Sequence, residues 1–70
     1  MPSTVIAHFT YDTSTGMLKI TFLSGSVYAY HDVPDKIYQG LSRAASKGKY
    51  FNRLIKNHYN FDQLVQGEQN

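Results

Sequence analysis

The fold of this chain is decided by Val27-Tyr28-Ala29-Tyr30-His31-Asp32-Val33-Pro34 and, further on, by Ala45-Ser46-Lys47-Gly48-Lys49-Tyr50-Phe51-Asn52. The first segment is rich in β-branched and aromatic residues, which favour strands, and it ends at a proline, which favours a helix start. The second segment begins near a serine, a residue common at helix N-caps, and then alternates lysines with aromatic residues. The sequence therefore predicts an aromatic strand, a first helix and then a second helix with a basic side.

Upstream of these segments, apolar and polar residues alternate with the period of strands. The alternation covers residues 5–11, 18–23 and 27–31, with turn-rich sequence at residues 12–16 and a tight turn at Ser24-Gly25. We therefore expect an antiparallel meander of three strands.

The loop at Ser24-Gly25 decides which way Tyr28 and Tyr30 point. In a two-residue loop Phe22 pairs with Val27, and both tyrosines lie on the face opposite Phe22. A three-residue loop shifts the register by one residue and places both tyrosines on the same face as Phe22. We favour the two-residue loop, in which glycine supplies the positive φ that the turn requires.

The first predicted helix opens around Pro34 and Asp35 and ends near Ala45. Proline suits a first helical turn, and an acidic residue there interacts favourably with the helix dipole. Gly40 inside the helix costs about 1 kcal/mol relative to alanine, which indicates either a close packing contact or a weak helix.

The second predicted helix runs from an N-cap at Ser46 to about Asn57 and is clearly amphipathic. Its apolar arc consists of Tyr50, Phe51, Leu54, Ile55 and His58, and its opposite arc of Lys49, Asn52, Arg53 and Lys56. The aromatic residues at positions 59 and 61 are expected to pack back on the domain. The prediction is an α+β fold, with a three-stranded antiparallel β-meander followed by two α-helices packed on the sheet, over residues 1–65, and a disordered polar tail at residues 66–70.

Length and composition limit what this chain is able to do. Seventy residues without cysteine make at most one small domain, and neither a disulfide nor a thiolate metal site is available to stabilise it. The first residues lack the basic and apolar regions of a signal peptide, and no apolar run approaches the roughly 20 residues of a membrane span. We expect a cytoplasmic protein without membrane contact, as a monomer or a weak homodimer.

The net charge of +2 is small, but the charges are unevenly distributed. Residues 36–61 contain six cations and no acidic residue; the cations are Lys36, Arg43, Lys47, Lys49, Arg53 and Lys56. Such an asymmetry is an argument about binding partners, in particular polyanions. A solvated helical face without a partner explains the same pattern equally well.

The sequence offers no catalytic, metal-binding or cofactor-binding motif. His8, His31 and His58 are far apart and lack the spacing of metal ligands. The segment Ser46-Lys47-Gly48-Lys49 lacks the glycine pattern of a phosphate-binding loop. We therefore expect a protein that is not an enzyme and that carries no cofactor or metal.

Binding of single-stranded or structured RNA is the leading functional hypothesis. Tyr28 and Tyr30 would form a stacking platform, because aromatic rings beside cations hold nucleic acid strands. The phosphates would contact Arg43, Lys47, Lys49, Arg53 and Lys56. Core packing of the two tyrosines is the competing explanation. The rival function is a protein–protein adaptor, with aromatic side chains at the centre of its interface and cations at the rim.

Several short motifs occur in an order that resembles the KTSC domain family. They are Tyr11-Asp12, Leu18-x-Ile20-x-Phe22, Gly25, Tyr28-x-Tyr30, Val33-Pro34, Ala45-x-x-Gly48, Tyr50-Phe51-Asn52 and Ile55-x-x-x-Tyr59. The resemblance implies a small domain that occurs at the C-terminus of some lysyl-tRNA synthetases and as stand-alone bacterial proteins. No function is established for that family, and its synthetase context suggests RNA as a partner.

Overall fold

The structure, a computed structural model, describes residues 5–67 of the 70-residue chain. Its elements are β1 (Ile6–Asp12), β2 (Met17–Phe22), β3 (Val27–Tyr30), α1 (Asp35–Arg43), α2 (Lys47–Leu54) and β4 (Phe61–Val65). The four strands form one antiparallel sheet in the order β1-β2-β3-β4. The predicted α+β class, with two helices after three strands, is confirmed.

The predicted number of strands is wrong, because residues 61–65 add a fourth strand beside β3. Tyr30 pairs with Phe61, and Ala29 pairs with Asp62. The pairing is possible only after two helices have returned the chain to the sheet, so no local hairpin signal announces it. The expected packing of Phe61 against the domain is present, since its ring centroid lies 5.3 Å from that of Tyr30.

The β2–β3 connection is a three-residue loop, so the two-residue loop that we favoured is wrong. The amide of Phe22 donates to the carbonyl of Ser26 at 2.9 Å, and the amide of Gly25 donates to the carbonyl of Phe22 at 2.9 Å. Gly25 has φ of +96° and takes the left-handed position that ends such a loop. Leu23 therefore lies in the turn, where it is 66% exposed, and is not a strand residue.

This register places the alternate residues of β2 and β3 on the face that the helices cover. Ile20 pairs with Tyr28, and Leu18 pairs with Tyr30. The buried core comprises Leu18, Ile20, Phe22, Tyr30, Val33, Leu41, Phe51 and Ile55. Both β3 tyrosines therefore point toward the helices, as the three-residue alternative predicts.

Tyr11 connects β1 to the helical layer. Its hydroxyl donates to the carbonyl of Val33 at 2.6 Å, just before α1 begins. Its ring stacks on that of Tyr38 in α1, with centroids 4.6 Å apart and planes 9° from parallel. The two contacts fix the start of α1 over the edge strand β1.

The first helix packs against the second through Gly40. Pro34 is the N-cap of α1, one position before the first helical turn that we predicted for it. A Cβ atom on Gly40 would lie 2.0 Å from the Tyr50 hydroxyl oxygen. That hydroxyl donates to the carbonyl of Ile37 at 3.1 Å, so the Tyr50 ring is held against α1. The close-packing explanation for this glycine is therefore correct.

The second helix begins as predicted and ends earlier. The Ser46 side chain accepts a hydrogen bond from the amide of Lys49 at 3.4 Å. The helix ends at Leu54, because Asn57 adopts a positive φ of 68°, which turns the chain toward β4. His58 is consequently exposed and does not belong to the apolar arc on which we had placed it.

The last described residues remain attached to the sheet. The amide of Gly67 donates to the Ser26 hydroxyl at 2.9 Å. Residues 68–70 of the predicted disordered tail lie outside the described residues. Within residues 5–67, α1 and α2 have nine and eight residues, and no helix has the length and apolar character that a bilayer crossing requires.

Substitution of Gly40 by alanine tests the contact between the two helices. The added methyl group overlaps the Tyr50 ring, and we expect a loss of about 1–3 kcal/mol in the free energy of unfolding. This loss should occur although alanine favours helices over glycine by about 1 kcal/mol. Urea denaturation measures the change.

Tyr50→Ala provides the matched background for this experiment. Without the ring, Gly40→Ala should be neutral or stabilising, because only the gain in helix propensity remains. If Gly40→Ala lowers the free energy of unfolding equally in the unaltered protein and in Tyr50→Ala, Gly40 has a role other than making room for the Tyr50 ring.

Candidate nucleic-acid interface

The cations of α2 lie on the side away from the core. Phe51 is buried between the helix and the sheet, whereas Lys49 and Arg53 on the opposite arc are exposed. Lys56 follows the helix end and is exposed as well. The predicted basic side of this helix is therefore present as a solvent-facing surface.

The remaining cations of the predicted site differ in their surroundings. Lys47 is half-buried, and its Nζ donates to the carbonyl of Ala44 at 3.4 Å, near the C-terminal end of α1. Arg43 is exposed in the last turn of α1, where a positive charge also stabilises the helix dipole. The structure thus brings five of the predicted site residues to the helical layer, and two of them have structural roles there.

The basic residues of the described chain are not neutralised by carboxylates. Within residues 5–67, no lysine or arginine forms an ion pair with a carboxylate, and the short contact between a histidine and a carboxylate joins His31 to Asp62. We use the name basic helical surface for Arg43, Lys47, Lys49, Arg53 and Lys56. No carboxylate within residues 5–67 pairs with these five side chains, and Lys49, Arg53 and Lys56 are exposed to solvent.

An open groove of 380 Å³ lies at the start of α2, beside the beginning of β1. It is lined by Val5, Ile6, Ala45, Ser46, Lys47, Gly48, Lys49 and Asn52. The Ser46 hydroxyl caps the amide of Lys49, and the first-turn amides of Lys47 and Gly48 point along the helix axis away from its body. A helix N-terminus flanked by two lysines attracts anions such as phosphate.

The stacking platform predicted from Tyr28 and Tyr30 does not fit the structure. Tyr30 is 3% exposed, and its ring packs against Phe51 with centroids 5.5 Å apart. Tyr28 is half-buried and lies edge-on against Phe22 at 5.8 Å. The three-residue loop has turned both rings toward the core, so Tyr30 offers no face to a base.

Phe61 is a surface aromatic residue that the sequence reasoning did not include in the site. It is 50% exposed on the edge strand β4, and its ring leans against Tyr28 and Tyr30 at 5.4 and 5.3 Å. The sequence pattern that indicates a strand here is the run Phe61-Asp62-Gln63-Leu64-Val65, because strand-forming residues stand at both of its ends. Leu64 and Val65 are also about half exposed.

The histidines converge only in part. His31 and His58 line a second open groove of 290 Å³, together with Asp32, Asn57, Tyr59 and Asn60. The Nε2 atom of His31 lies 2.8 Å from Oδ2 of Asp62, an exposed pair that links the end of β3 to β4. Among the described residues, no three histidine or acidic side chains cluster in a way that suits a metal ion.

Comparison with known proteins identifies the family. The KTSC domain model matches residues 2–59 of the chain. The chain belongs to the KTSC domain family. The resemblance seen in the sequence motifs is therefore confirmed, and the matched region ends before β4 begins.

A crystal structure of a KTSC domain protein from Yersinia pestis is similar to this chain, with a TM-score of 0.84 and 31% identity over 93% of this chain and 92% of that one. A lysine–tRNA ligase from Nostoc punctiforme is 47% identical over 60 residues, which cover 86% of this chain and 11% of the ligase. The corresponding ligase from Trichormus variabilis is 41% identical over 59 residues, or 84% of this chain and 10% of the ligase. The chain thus spans about a tenth of the ligases that it matches.

The burial of Tyr30 predicts a loss of stability at high pH. Burial, together with the nearby Tyr28, raises the pKa of Tyr30 to about 12 from the usual 10 of tyrosine. The neutral phenol therefore stabilises the folded state fully below about pH 10, and this contribution is lost as the pH rises toward about 12. We expect the free energy of unfolding to fall by on the order of 2 kcal/mol across this range from Tyr30 alone.

Tyr30→Phe is the matched control, since it keeps the packed ring and cannot ionise. Burial and, to a smaller extent, the charges of Asp35 and Asp12 raise the pKa of Tyr11. Because both proteins contain Tyr11, its contribution to the pH dependence cancels in the comparison. Urea denaturation at several pH values between 9 and 12 measures the difference. Equal pH dependence of the two proteins would show that the Tyr30 hydroxyl is not buried in the folded state.

Proposed function

We propose that this KTSC domain is a non-catalytic RNA-binding module and that it holds RNA phosphates on the basic helical surface. The observation that carries this proposal is the set of exposed cations on α2, which face solvent opposite the buried Phe51 and have no carboxylate partner within residues 5–67. An exposed charge contributes little to folding, so these cations are able to engage a polyanion without loss of an interaction that stabilises the fold.

The family context supports RNA as the polyanion. Three relatives are lysine–tRNA ligases, and the region they share with this chain is a small part of each. A domain attached to a protein that acts on tRNA is well placed to contribute affinity for RNA through effective concentration. For this chain, RNA binding follows as a proposal from that kinship and from the charge distribution.

Each part of the basic helical surface has a defined task in this proposal. Lys49 and Arg53 stand one helical turn apart and contact neighbouring phosphates. The groove at the start of α2 receives a further phosphate through Lys47 and the free first-turn amides. Contacts of this kind release condensed counterions, which makes the affinity strongly dependent on salt.

Binding without catalysis fits the chemistry that the surface offers. The His31–Asp62 pair has the geometry of a base and its orienting group, but the groove beside it is lined by no serine, threonine or cysteine nucleophile. The basic helical surface supplies cations and backbone amides, which bind anions. These features support a binding role for the domain.

A protein–protein adaptor remains the second candidate, and β4 is the observation that favours it. Phe61, Leu64 and Val65 are each about half exposed on an edge strand of the sheet. An edge strand with apolar side chains is able to accept a further strand from another protein. A complex of this kind depends on apolar contacts and should respond weakly to salt.

Removal of three charges from α2 tests the proposed function. Lys49→Gln, Arg53→Gln and Lys56→Gln together should leave the free energy of unfolding nearly unchanged, because all three side chains are exposed. RNA affinity should fall, and the slope of log K against log salt should shrink by about two to three units, at roughly 0.7–0.9 per lost phosphate contact. Fluorescence anisotropy over a salt series measures both quantities.

Single substitutions provide the matched control. Lys19→Gln removes an exposed cation from β2, on the sheet face away from the helices, and should leave RNA binding unchanged. Lys49→Gln removes one from α2 and should weaken binding. Equal effects of the two substitutions on RNA affinity would indicate a general charge effect and not a site on α2. If the unaltered protein does not bind RNA at low salt, the adaptor is the better explanation.

A further inference from the structure

We infer that the RNA bound by this domain is double-helical and that it is held through its phosphates, not a single strand held by stacked bases. This inference rests on the proposed function and specifies its ligand. It depends on where the fold places aromatic rings relative to the basic helical surface.

The rings that would hold single-stranded bases are occupied within the protein. Tyr28 is stacked beside Tyr30, with centroids 6.3 Å apart and planes 25° from parallel. Phe61 lies against Tyr28 at 5.4 Å, and Phe22 approaches it edge-on at 5.8 Å. A base reaches the ring faces that Phe61 covers on Tyr28 and Tyr30 only by displacing Phe61 and thus β4, which pairs with β3, so the half-exposed Phe61 is the ring surface of this cluster that stays open.

The exposed part of the aromatic cluster is remote from the start of α2. Phe61 lies on β4, at one edge of the sheet, whereas the groove with Lys47 and Lys49 lies beside the start of β1, the opposite edge. The residue after Phe61 is Asp62, whose carboxylate side chain is 70% exposed and would repel a phosphate backbone. Recognition of a single strand uses rings and cations in one groove, and the fold places Phe61 and the groove with Lys47 and Lys49 at opposite edges of the sheet.

The cations themselves suit a ligand whose phosphates are already fixed in space. Lys49 and Arg53 project from one face of α2, about 6 Å apart along its axis. A rigid helix loses little conformational entropy when it meets a rigid partner, which favours a preorganised ligand. Double-helical RNA is recognised in this way, through shape, phosphates and 2′-hydroxyls and with little sequence preference.

Comparison of duplex and single-stranded RNA binding tests the inference on the 70-residue chain. We would measure fluorescence anisotropy at low salt with two RNA duplexes of about 16 base pairs that have unrelated sequences. The same measurement would use one separated strand from each duplex, chosen to form no structure by itself. The duplexes should bind more tightly than the single strands, and their affinities should agree within about threefold, since phosphate contacts carry no sequence information. Phe61→Ala should leave duplex binding unchanged, and Lys49→Gln should weaken it.

The possible results separate this inference from the proposed function. Tighter binding of single strands, weakened by Phe61→Ala, would overturn the inference and leave RNA binding itself intact. A strong preference for one duplex sequence would also overturn it, because it would require base contacts. A lack of binding to any of the RNAs would overturn the proposed function together with the inference.

Discussion

The structure depends on the three-residue loop between β2 and β3. Because Gly25 adopts a positive φ at the end of this loop, Phe22 pairs with Ser26 and the register of the whole β3 strand follows. A shift by one residue would exchange the two faces of β3. With the observed register, Tyr30 enters the core and packs against Phe51 of α2, and that contact seats the second helix on the sheet.

The same constraint divides the molecule into an apolar and a basic layer. Once Phe51 faces the sheet, the geometry of the helix turns Lys49 and Arg53 toward solvent, since they lie on the opposite arc. The aromatic residues thus stabilise the fold of this KTSC domain, and Lys49 and Arg53 lie exposed to solvent on the helical layer. This separation is the reason that we propose RNA binding at the helical layer and not at the aromatic strand.

Much of this arrangement follows from local patterns in the sequence. Alternation and capping residues predict three strands, both helices and the N-cap at Ser46, and the charge pattern predicts the exposed side of α2. Two features were not predictable in this way. Ser24-Gly25 is compatible with two loop lengths, and only packing of the tyrosines against the helices decides between them. The strand Phe61–Val65 pairs with a residue range distant in sequence, so its short, partly polar pattern carries little information by itself.

Nuclear Overhauser effects between α-protons of β2 and β3 test the central claim most directly. In antiparallel strands these protons approach each other closely in the pairs that are not hydrogen-bonded. Since Phe22 and Ser26 are a hydrogen-bonded pair, the account predicts strong contacts from Thr21 to Val27 and from Lys19 to Ala29. Strong contacts from Phe22 to Val27 and from Ile20 to Ala29 would instead establish the two-residue loop. That result would turn Tyr28 and Tyr30 to the open face of the sheet and contradict the division into an apolar and a basic layer.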